Sequence, residues 1–311
     1  MIAYSTTMAV NRPTLTTNTR MASLLADLAE GHGFSASRLP GVKFMRSATH
    51  VPPSPITYEP SIVIVAQGRK TGRLGEKTFV YDANNYLVLT APLPFECETF
   101  GTPENPLLGL SIAVTPALVA ELLVQIESAP ADNDARPQAI ESAPIDDALG
   151  NAAVRLLECL HSADDARILG PQIMREITYR VLTGPLGANL RGLAAPQSHF
   201  GQITRVLNRI HADYARTYDM ETLAREAGMS VSTFHAHFKN VTASSPLQYV
   251  KTIRLHKARM LMVHDGLSAA GAALQVGYES ASQFSREFKR HFGGAPAEIA
   301  TQLRASLMRF A

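Results

Sequence analysis

The stretch that decides the fold is Val276-Gly-Tyr-Glu-Ser-Ala-Ser-Gln-Phe-Ser-Arg-Glu-Phe-Lys-Arg-His-Phe-Gly293. A shorter version of its pattern, Gly228-Met-Ser-Val-Ser-Thr-Phe-His-Ala-His-Phe-Lys239, occurs 50 residues earlier. Both versions place Ser-x-Phe-x-x-x-Phe-Lys a few residues after a glycine. A pattern whose serine and phenylalanine positions recur at the same spacing, each time shortly after a glycine, indicates that one structural unit is built twice.

Each copy begins with the signals of a helix that ends in a tight turn. Ala224 and Ala273 stand four residues before Gly228 and Gly277. An alanine leaves room for two helices to cross closely, and a glycine favours the positive φ at which many helices end. We therefore expect a helix, a turn and a second helix in both places.

The second helix of each copy has a predicted start and a predicted buried face. Ser230 and Ser280 are good N-caps, and Gln283 follows Ser280 at the spacing of a capping box. Phenylalanines at i, i+4 can bury one face of each helix; they are Phe234 and Phe238, then Phe284 and Phe288. A plain helical bundle is the alternative, but two matching copies favour helix-turn-helix units that bind DNA.

The other face of each second helix supplies the candidate DNA contacts. Arg286 can make a bidentate contact to guanine, whereas Lys289 and Arg290, nearer the helix end, are better placed for phosphates. The alternative for Arg286 is an ion pair with Glu279 or Glu287. The predicted DNA-binding residues are Ser232, Thr233, His235, Ala236 and Lys239 in the first copy, and Ala281, Ser282, Gln283, Arg286, Lys289 and Arg290 in the second.

Between the copies, Ser245–His264 has the pattern of one long helix, with Pro246 suited to its first turn. A helix of about 18 residues spans about 27 Å. It can therefore hold two DNA-reading units about one turn of DNA apart, the ~34 Å between successive major-groove faces.

These stretches resemble the AraC/XylS family of transcription regulators, and the likeness runs over about residues 201–299, including Pro296. The segment Tyr58-Glu-Pro-Ser-Ile-Val-Ile-Val-Ala-Gln-Gly-Arg-Lys70, with Tyr81-Asp82 and Tyr86-Leu87, is similar to the cupin-like sensor domain of that family. The resemblance implies that the C-terminal domain reads promoter DNA. It also implies that the N-terminal domain binds a small-molecule effector, mediates homodimer formation, or does both, with RNA polymerase as a further partner.

Two positions depart from the family pattern. Ala236 stands where many relatives have a long polar residue that reads a base, so the first unit is expected to use Ser232, His235 and methyl or phosphate contacts. Gly271 lies in the first helix of the second unit, where a mid-helix glycine costs about 1 kcal/mol relative to alanine. We expect that helix to be marginal until DNA or a partner packs on it.

The charge is divided unevenly along the chain. Although the net charge is only +2, residues 199–311 contain 14 Lys and Arg against 8 Asp and Glu, and residues 1–198 contain 15 against 19. A basic C-terminal part joined to a mildly acidic N-terminal part indicates that the former meets a polyanion.

The N-terminal half reads as closely spaced strands separated by turns. Ser61–Gly68, Lys77–Tyr81, Asn85–Leu89 and Leu107–Val114 are rich in residues that favour strands. This spacing predicts an antiparallel barrel or sandwich, whose apolar interior is the default ligand site. The predicted ligand-binding residues are Ile62, Ile64, Leu87 and Phe95, or their strand neighbours of opposite parity.

The predicted fold class is α+β. It consists of a cupin-like β-barrel domain with flanking helices and an all-α domain of two helix-turn-helix units. The predicted boundaries are a flexible tail over 1–19, the sensor or dimerisation domain over 20–184, a linker over 185–198 and the DNA-binding domain over 199–304. Ala129–Pro144 is predicted to be a loop, and helices are predicted over Pro116–Gln125 and along the apolar stripes of 145–160 and 173–181.

Other functions find little support in the residues. The N-terminus does not read as a signal peptide and no long apolar run is present, which favours a cytoplasmic protein. No metal site, catalytic residue or cofactor is predicted: His235 and His237, two positions apart on a helix, point apart. Cys97 is flanked by acids, which disfavours a reactive thiolate, and Cys159 lies on an apolar stripe.

Three functional hypotheses remain open at this point. The first is a DNA-binding regulator tuned by a small ligand. The second is a regulator that needs no ligand and whose barrel only dimerises. The third, from another class, is a cupin-type enzyme with an accessory helical domain. An effect of ligand on DNA affinity separates the first two, and bound metal with turnover supports the third.

Overall fold

Antiparallel strands make up the N-terminal barrel in the computed structural model, which describes residues 15–126 and 137–308. The strands are β1 (Gly33–Ala36), β2 (Val42–Ser47), β3 (Val51–Tyr58), β4 (Ser61–Gln67), β5 (Arg69–Leu74), β6 (Lys77–Asp82), β7 (Asn85–Leu89), β8 (Leu93–Phe100), β9 (Leu107–Ala113) and β10 (Ile140–Pro144). They form one sheet of order β1-β2-β9-β4-β7-β10 and a second of order β3-β8-β5-β6. The four strands predicted from residue type are confirmed.

Helices flank the barrel and make up the C-terminal part. They are α1 (Leu15–Leu28), α2 (Pro116–Gln125), α3 (Asp147–Cys159), α4 (Ala163–Ile168), α5 (Gly170–Thr183), α6 (Gly187–Leu193), α7 (His199–Ala212), α8 (Met220–Glu226), α9 (Val231–Thr242), α10 (Pro246–His264), α11 (Ala269–Gln275), α12 (Ala281–Phe292) and α13 (Pro296–Met308). The predicted fold class, a β-rich N-terminal domain followed by a helical C-terminal domain, is confirmed. No helix of the described ranges is long and apolar enough to cross a membrane.

The structure differs from the sequence reading at three segments. Residues 140–144, predicted to lie in a loop, form β10, which pairs with β7 through Ile140 and Leu89. Its Pro144 is tolerated because β10 is an edge strand. Helix α6 lies within the predicted linker, and α1 begins inside the predicted tail. Residues 1–14 of that tail and 129–136 of that loop lie outside the described residues.

The two faces of β4 meet different cores. Ile62 and Ile64 pack with Met21 and Leu25 of α1, on the side of the sheet that the helices cover. The residue between them, Val63, belongs with Leu87 to the cluster of the barrel interior. Since successive side chains of a strand point to opposite faces, the predicted ligand-binding residues cannot all share one pocket.

The prediction for Ile62 and Ile64 as barrel-lining residues is therefore corrected. Their neighbours of opposite parity, Val63 and Val65, face the interior instead. Leu87 and Phe95 lie inside as predicted. The error comes from β4 itself, whose apolar run is continuous because both of its faces are buried, so alternation gives no signal.

Helix α10 ties the two helix-turn-helix units together, as predicted for Ser245–His264. Ser245 caps it, with its Oγ accepting a hydrogen bond from the backbone N–H of Gln248 at 3.4 Å. Its buried residues divide between two clusters: Tyr249, Val250 and Ile253 pack with the first unit, whereas Leu255 and Met262 are examples of those that pack with the second. The helix thus fixes one unit relative to the other.

The helical domain meets the barrel along a seam. The Tyr249 hydroxyl donates a hydrogen bond to the backbone oxygen of Pro92. The Arg259 guanidinium donates to the backbone oxygen of Pro55 at 3.0 Å. Both contacts are made by α10, so the same helix that joins the two units also joins them to the barrel.

Candidate nucleic-acid interface

The first helix-turn-helix unit consists of α8, α9 and the turn between them. Gly228 in the turn has φ 66°, the left-handed conformation expected from the sequence. Ser230 caps α9, its Oγ accepting from the backbone N–H of Thr233 at 3.3 Å. Phe234 and Phe238 are fully buried. The predicted helix, turn and capped second helix are therefore present.

The second unit consists of α11, α12 and their turn, and its geometry is tighter. Gly277 has φ 83°, and a Cβ there would lie 2.3 Å from the backbone oxygen of Ala215. Only glycine fits that position, because both the φ and the space exclude a side chain. Ser280 caps α12 by accepting from the backbone N–H of Gln283 at 3.3 Å.

The capping box predicted from Ser280 and Gln283 forms only in part. The Gln283 side chain donates forward to Glu287 at 3.2 Å. Gly271 also differs from expectation: it lies in the first turn of α11, where its N–H donates to the Oγ of Ser268 at 3.1 Å. In that position it costs less than a glycine in a helix interior, because capping satisfies its backbone.

The predicted DNA-binding residues lie together on the open faces of α9 and α12. All eleven side chains are exposed, while the phenylalanines on the opposite faces are buried. The exposed residues are Ser232, Thr233, His235, Ala236, Lys239, Ala281, Ser282, Gln283, Arg286, Lys289 and Arg290. Two helices that each bury one face and leave a polar face open can enter neighbouring grooves.

The alternative for Arg286, an ion pair with Glu279 or Glu287, is absent from the ion pairs of the described residues. Glu287 instead binds the Lys251 ammonium at 3.0 Å and the Tyr278 hydroxyl at 2.8 Å. These contacts lower the pKa of Glu287 against the opposing effect of burial. The carboxylate nearest in sequence to Arg286 is thus engaged with other residues, and Arg286 itself is exposed.

Sequence reasoning missed the residue that holds the second unit in place. Arg254 of α10 donates to the backbone oxygens of Tyr214 at 2.9 Å and of Gly277 at 3.0 Å. In the sequence, Arg254 is one of several basic residues of the long helix, with no sign of a particular role. A cation with its guanidinium on backbone oxygens fixes a turn rather than meeting phosphates, and nothing in the residue pattern distinguishes the two uses.

Histidines of the helical domain sit in structural positions. His256 is buried on α10, and its Nε2 lies 3.2 Å from the Nε2 of His291 on α12. Burial holds the pKa of His256 well below its ordinary value. The ring of His237 lies tilted against that of His199, with ring centroids 4.2 Å apart. Within the described part of the chain, no group of three or more metal-ligating side chains is found.

Family models match most of the chain. The model of the AraC-type transcriptional regulator N-terminus matches residues 38–189. The model of a helix-turn-helix domain matches residues 223–302. The boundary between the two matches falls in the region of α6 to α8.

Curated relatives match just under half of the chain. The HTH-type transcriptional activator RhaS of Escherichia fergusonii is 28% identical over 153 residues, which cover 49% of this chain and 55% of the relative. RhaS of Enterobacter sp. strain 638 is 29% identical over 135 residues, covering 43% and 48%. The chain thus spans about half the length of the curated relatives it matches.

Solved structures share the fold of both domains. ToxT from Vibrio cholerae strain SCE256, solved with an unsaturated fatty acid bound, is similar with a TM-score of 0.56 at 12% identity, over 88% of this chain and 96% of that one. ToxT from Vibrio cholerae O395 gives 0.53 at 13% identity, over 84% and 98%. At such identity the likeness concerns the fold alone.

Proposed function

Because the chain belongs to the AraC-type transcriptional regulators, we propose that it controls transcription by binding specific sites on double-stranded DNA. The resemblance drawn from the residues is thereby confirmed at the level of the family, which is one of regulators and not of enzymes. We assign the chain no catalytic residue. As a protein that acts on the chromosome, it would work in the cytoplasm.

One observation carries the proposal. The two helix-turn-helix units each present an exposed polar face on the second helix, and all eleven residues chosen from the sequence lie on those faces. A helical bundle built only for packing would not need two capped helices with matched open faces. The basic charge of residues 199–311 supports the same function.

The two units would make different kinds of contact with DNA. On α12, Arg286 reads a guanine while Lys289 and Arg290 bind phosphates. On α9, Lys239 binds phosphate and the short side chains around Ala236 allow close approach to a base edge or a thymine methyl. The second unit therefore contributes most of the sequence preference.

The N-terminal barrel would tune this binding through a small effector. ToxT, which shares the fold, was solved with a fatty acid. In this chain the barrel joins the helical domain through Tyr249 and Arg259 of α10. A ligand that changes the barrel can therefore change how freely the units reach DNA. A second copy of the chain and RNA polymerase are the further partners we propose.

Footprinting of the full-length protein on the DNA upstream of its own gene tests the DNA-binding function. Two adjacent major grooves on one face should be protected, over about two turns, and affinity should fall steeply with salt because cations displace counterions. Protection of a single short element that is unchanged by disruption of the second unit would refute the two-unit arrangement.

A further inference from the structure

A cavity of about 170 Å³ is lined by residues of both sheets and lies apart from the DNA-binding faces. None of the four residues predicted for ligand binding lines it. Its walls are mostly apolar, with Phe34, Met45, Ile56 and Leu107 among the lining residues. Two polar residues, Tyr58 and Lys70, also line the cavity.

Lys70 is an unusual residue for this position. It lies on β5, between Tyr81 on β6 and Thr99 on β8, and only 7% of it is exposed. Its ammonium nitrogen lies 5.8 Å from the ring centre of Tyr58 and 6.0 Å from that of Phe34. None of the ion pairs found in residues 15–126 and 137–308 includes it. The Tyr58 hydroxyl and the Cys97 thiol also lie near the ammonium. Ring faces, a hydroxyl and a thiol compensate a buried cation only in part, so the charge still lacks an anionic partner.

Tyr58 adds a second unsatisfied group. It is 8% exposed, and its buried hydroxyl makes no hydrogen bond of ordinary geometry among the described residues, although Lys70 and Tyr81 lie near it. Its ring is fixed edge-on against Phe34 and Phe95, at 5.5 and 5.3 Å between centroids. Burial raises the pKa of Tyr58, so the hydroxyl keeps its proton and remains a donor. A buried donor without an acceptor is rare in folded proteins.

Three other polar side chains of the wall are already engaged. The hydroxyl of Ser47 donates to a backbone oxygen at 2.9 Å, and that of Ser54 does so at 2.8 Å. The guanidinium of Arg46 donates to the backbone oxygen of Ala26 at 3.1 Å. Burial and the charge of Lys70 lower the pKa of His32, which therefore stays neutral beside the cavity. The cavity thus has a cation and a hydroxyl donor but no anion.

We propose that Lys70 and Tyr58 bind the carboxylate of a small organic acid, whose apolar body fills the rest of the cavity. The ammonium pairs with the carboxylate and the hydroxyl donates to one of its oxygens, so the cation gains an anion and the hydroxyl gains an acceptor. This inference rests on the proposed function, because it identifies the class of effector that the barrel takes.

The size of the cavity limits which organic acids can bind. Pockets for drug-sized ligands hold roughly 300 Å³ or more, so a cavity of about 170 Å³ suits a single-ring or short-chain acid. A phosphate ester is a poorer match, because its additional charged oxygens need more donors than Lys70 and Tyr58 provide. A neutral amide of the same shape would lose the ion pair.

The experiment uses the full-length chain, with benzoate and short aliphatic carboxylates as probes and benzamide as the neutral match. Ligand binding is measured by titration calorimetry and by the shift in Tm, which rises with ligand concentration over Kd. The variants are Lys70→Met and Tyr58→Phe, with Lys43→Met as the control because Lys43 is exposed on β2. DNA affinity is measured on the same samples with and without probe.

The wild type and Lys43→Met should bind at least one carboxylate and not benzamide. Lys70→Met should lose about a hundredfold in affinity, as expected when one partner of a buried ion pair is removed. Tyr58→Phe should lose about tenfold. Without probe, Lys70→Met should have an unchanged or higher Tm, because it removes an unpaired buried charge; this shows that the loss of binding is not a loss of fold.

Equal carboxylate binding by Lys70→Met, equal binding of benzamide, or no binding of any carboxylate by the wild type would overturn the proposal. Failure of the proposed function gives a different result. If the protein binds carboxylates through Lys70 but does not bind DNA, the carboxylate site stands and the proposed function fails. If the protein binds DNA but no carboxylate, the proposed function stands and the carboxylate site is refuted.

Discussion

The two helix-turn-helix units share a plan and differ in their surroundings. The first packs into one continuous buried cluster with the barrel interior, whereas the second has a cluster of its own. Their open faces differ too: position 236 is an alanine, and its counterpart 50 residues later is Arg286. The comparison teaches that a duplicated unit can keep its fold while one copy attaches to the barrel and the other, under the proposed function, becomes the main reader of DNA.

The largest expected effect concerns the two turn glycines. A Cβ at Gly277 would meet the backbone oxygen of Ala215 at 2.3 Å, whereas a Cβ at Gly228 would have only Gln202 near it, at 3.7 Å. Gly277→Ala should therefore cost about 3 kcal/mol or more, since strain and overlap add, and Gly228→Ala about 1–2 kcal/mol from strain alone. Urea unfolding of both variants measures the difference. Equal costs would mean that the second turn is no tighter than the first.

The second prediction concerns pH and the attachment of the first unit. The Tyr249 hydroxyl donates to the oxygen of Pro92, so its own oxygen accepts from the Nε2 of His211, 2.9 Å away. The Nδ1 of His211 is buried without a partner. Burial, with the charge of Lys257, lowers the pKa of His211 to about 4. His211 is therefore neutral in the folded protein.

The sign of the effect follows from that lowered pKa. Above pH 6.5, His211 is neutral in both the folded and the unfolded protein, so protonation of His211 takes nothing from the free energy of unfolding. As the pH falls from about 6.5 to about 4, the unfolded chain takes up a proton that the folded chain refuses, and roughly 3 kcal/mol is lost. In His211→Gln, whose amide can still donate to Tyr249, this part of the slope should vanish. Unfolding free energies of both proteins between pH 7.5 and 4.5 test it; parallel curves would contradict it.

How much of this was predictable differs between the regions. The helix-turn-helix units were readable because turns, caps and aromatic pairs are local signals, and Ser230, Gly277 and Phe284 each act within a few residues. The seam was not, since Tyr249 and Pro92 are distant in sequence and a tyrosine in an amphipathic helix reads as ordinary core. The orientation of Ile62 could not be predicted for another reason: a strand that is buried on both faces shows no alternation of polar and apolar residues.

The third prediction concerns base reading. Arg286→Ala should weaken binding to the specific site by about 1–3 kcal/mol while changing non-specific binding little, because it removes a contact to a base. Lys289→Ala should weaken both alike and make the salt dependence shallower, because it removes a phosphate contact. Binding titrations on specific and random duplexes at several salt concentrations separate the two.

Ala236→Gly is the matched change in the first unit. Since Ala236 offers only a methyl group, the loss of specific affinity should be smaller than for Arg286→Ala. A larger loss at Ala236 would reverse the assignment of the two units. A fall in Tm for Arg286→Ala with an unchanged ratio of specific to non-specific affinity would make Arg286 a structural residue.

The smallest expected effect lies at the ends of the two DNA-reading helices. Helix α12 is followed by Gly293 as its C-cap, with φ 81°. Helix α9 is followed by Ala243, with φ 55°, the single non-glycine residue with positive φ in the described parts of the chain. An L-residue in this conformation is strained by about 1–2 kcal/mol. Glycine relieves the strain but gains freedom in the unfolded chain, which offsets about 0.4–1 kcal/mol.

Ala243→Gly should therefore stabilise the protein by about 0.5–1 kcal/mol, and Gly293→Ala should destabilise it by a similar amount. The second change is a clean reference, because a Cβ at Gly293 would meet nothing within 4 Å. At Ala243 the methyl group also lies against Gly75 of the barrel, 2.9 Å from where a Cβ would stand there. If urea unfolding shows Ala243→Gly to be destabilising, that contact outweighs the strain, and the methyl group holds the first unit to the barrel where the second unit has only a helix end.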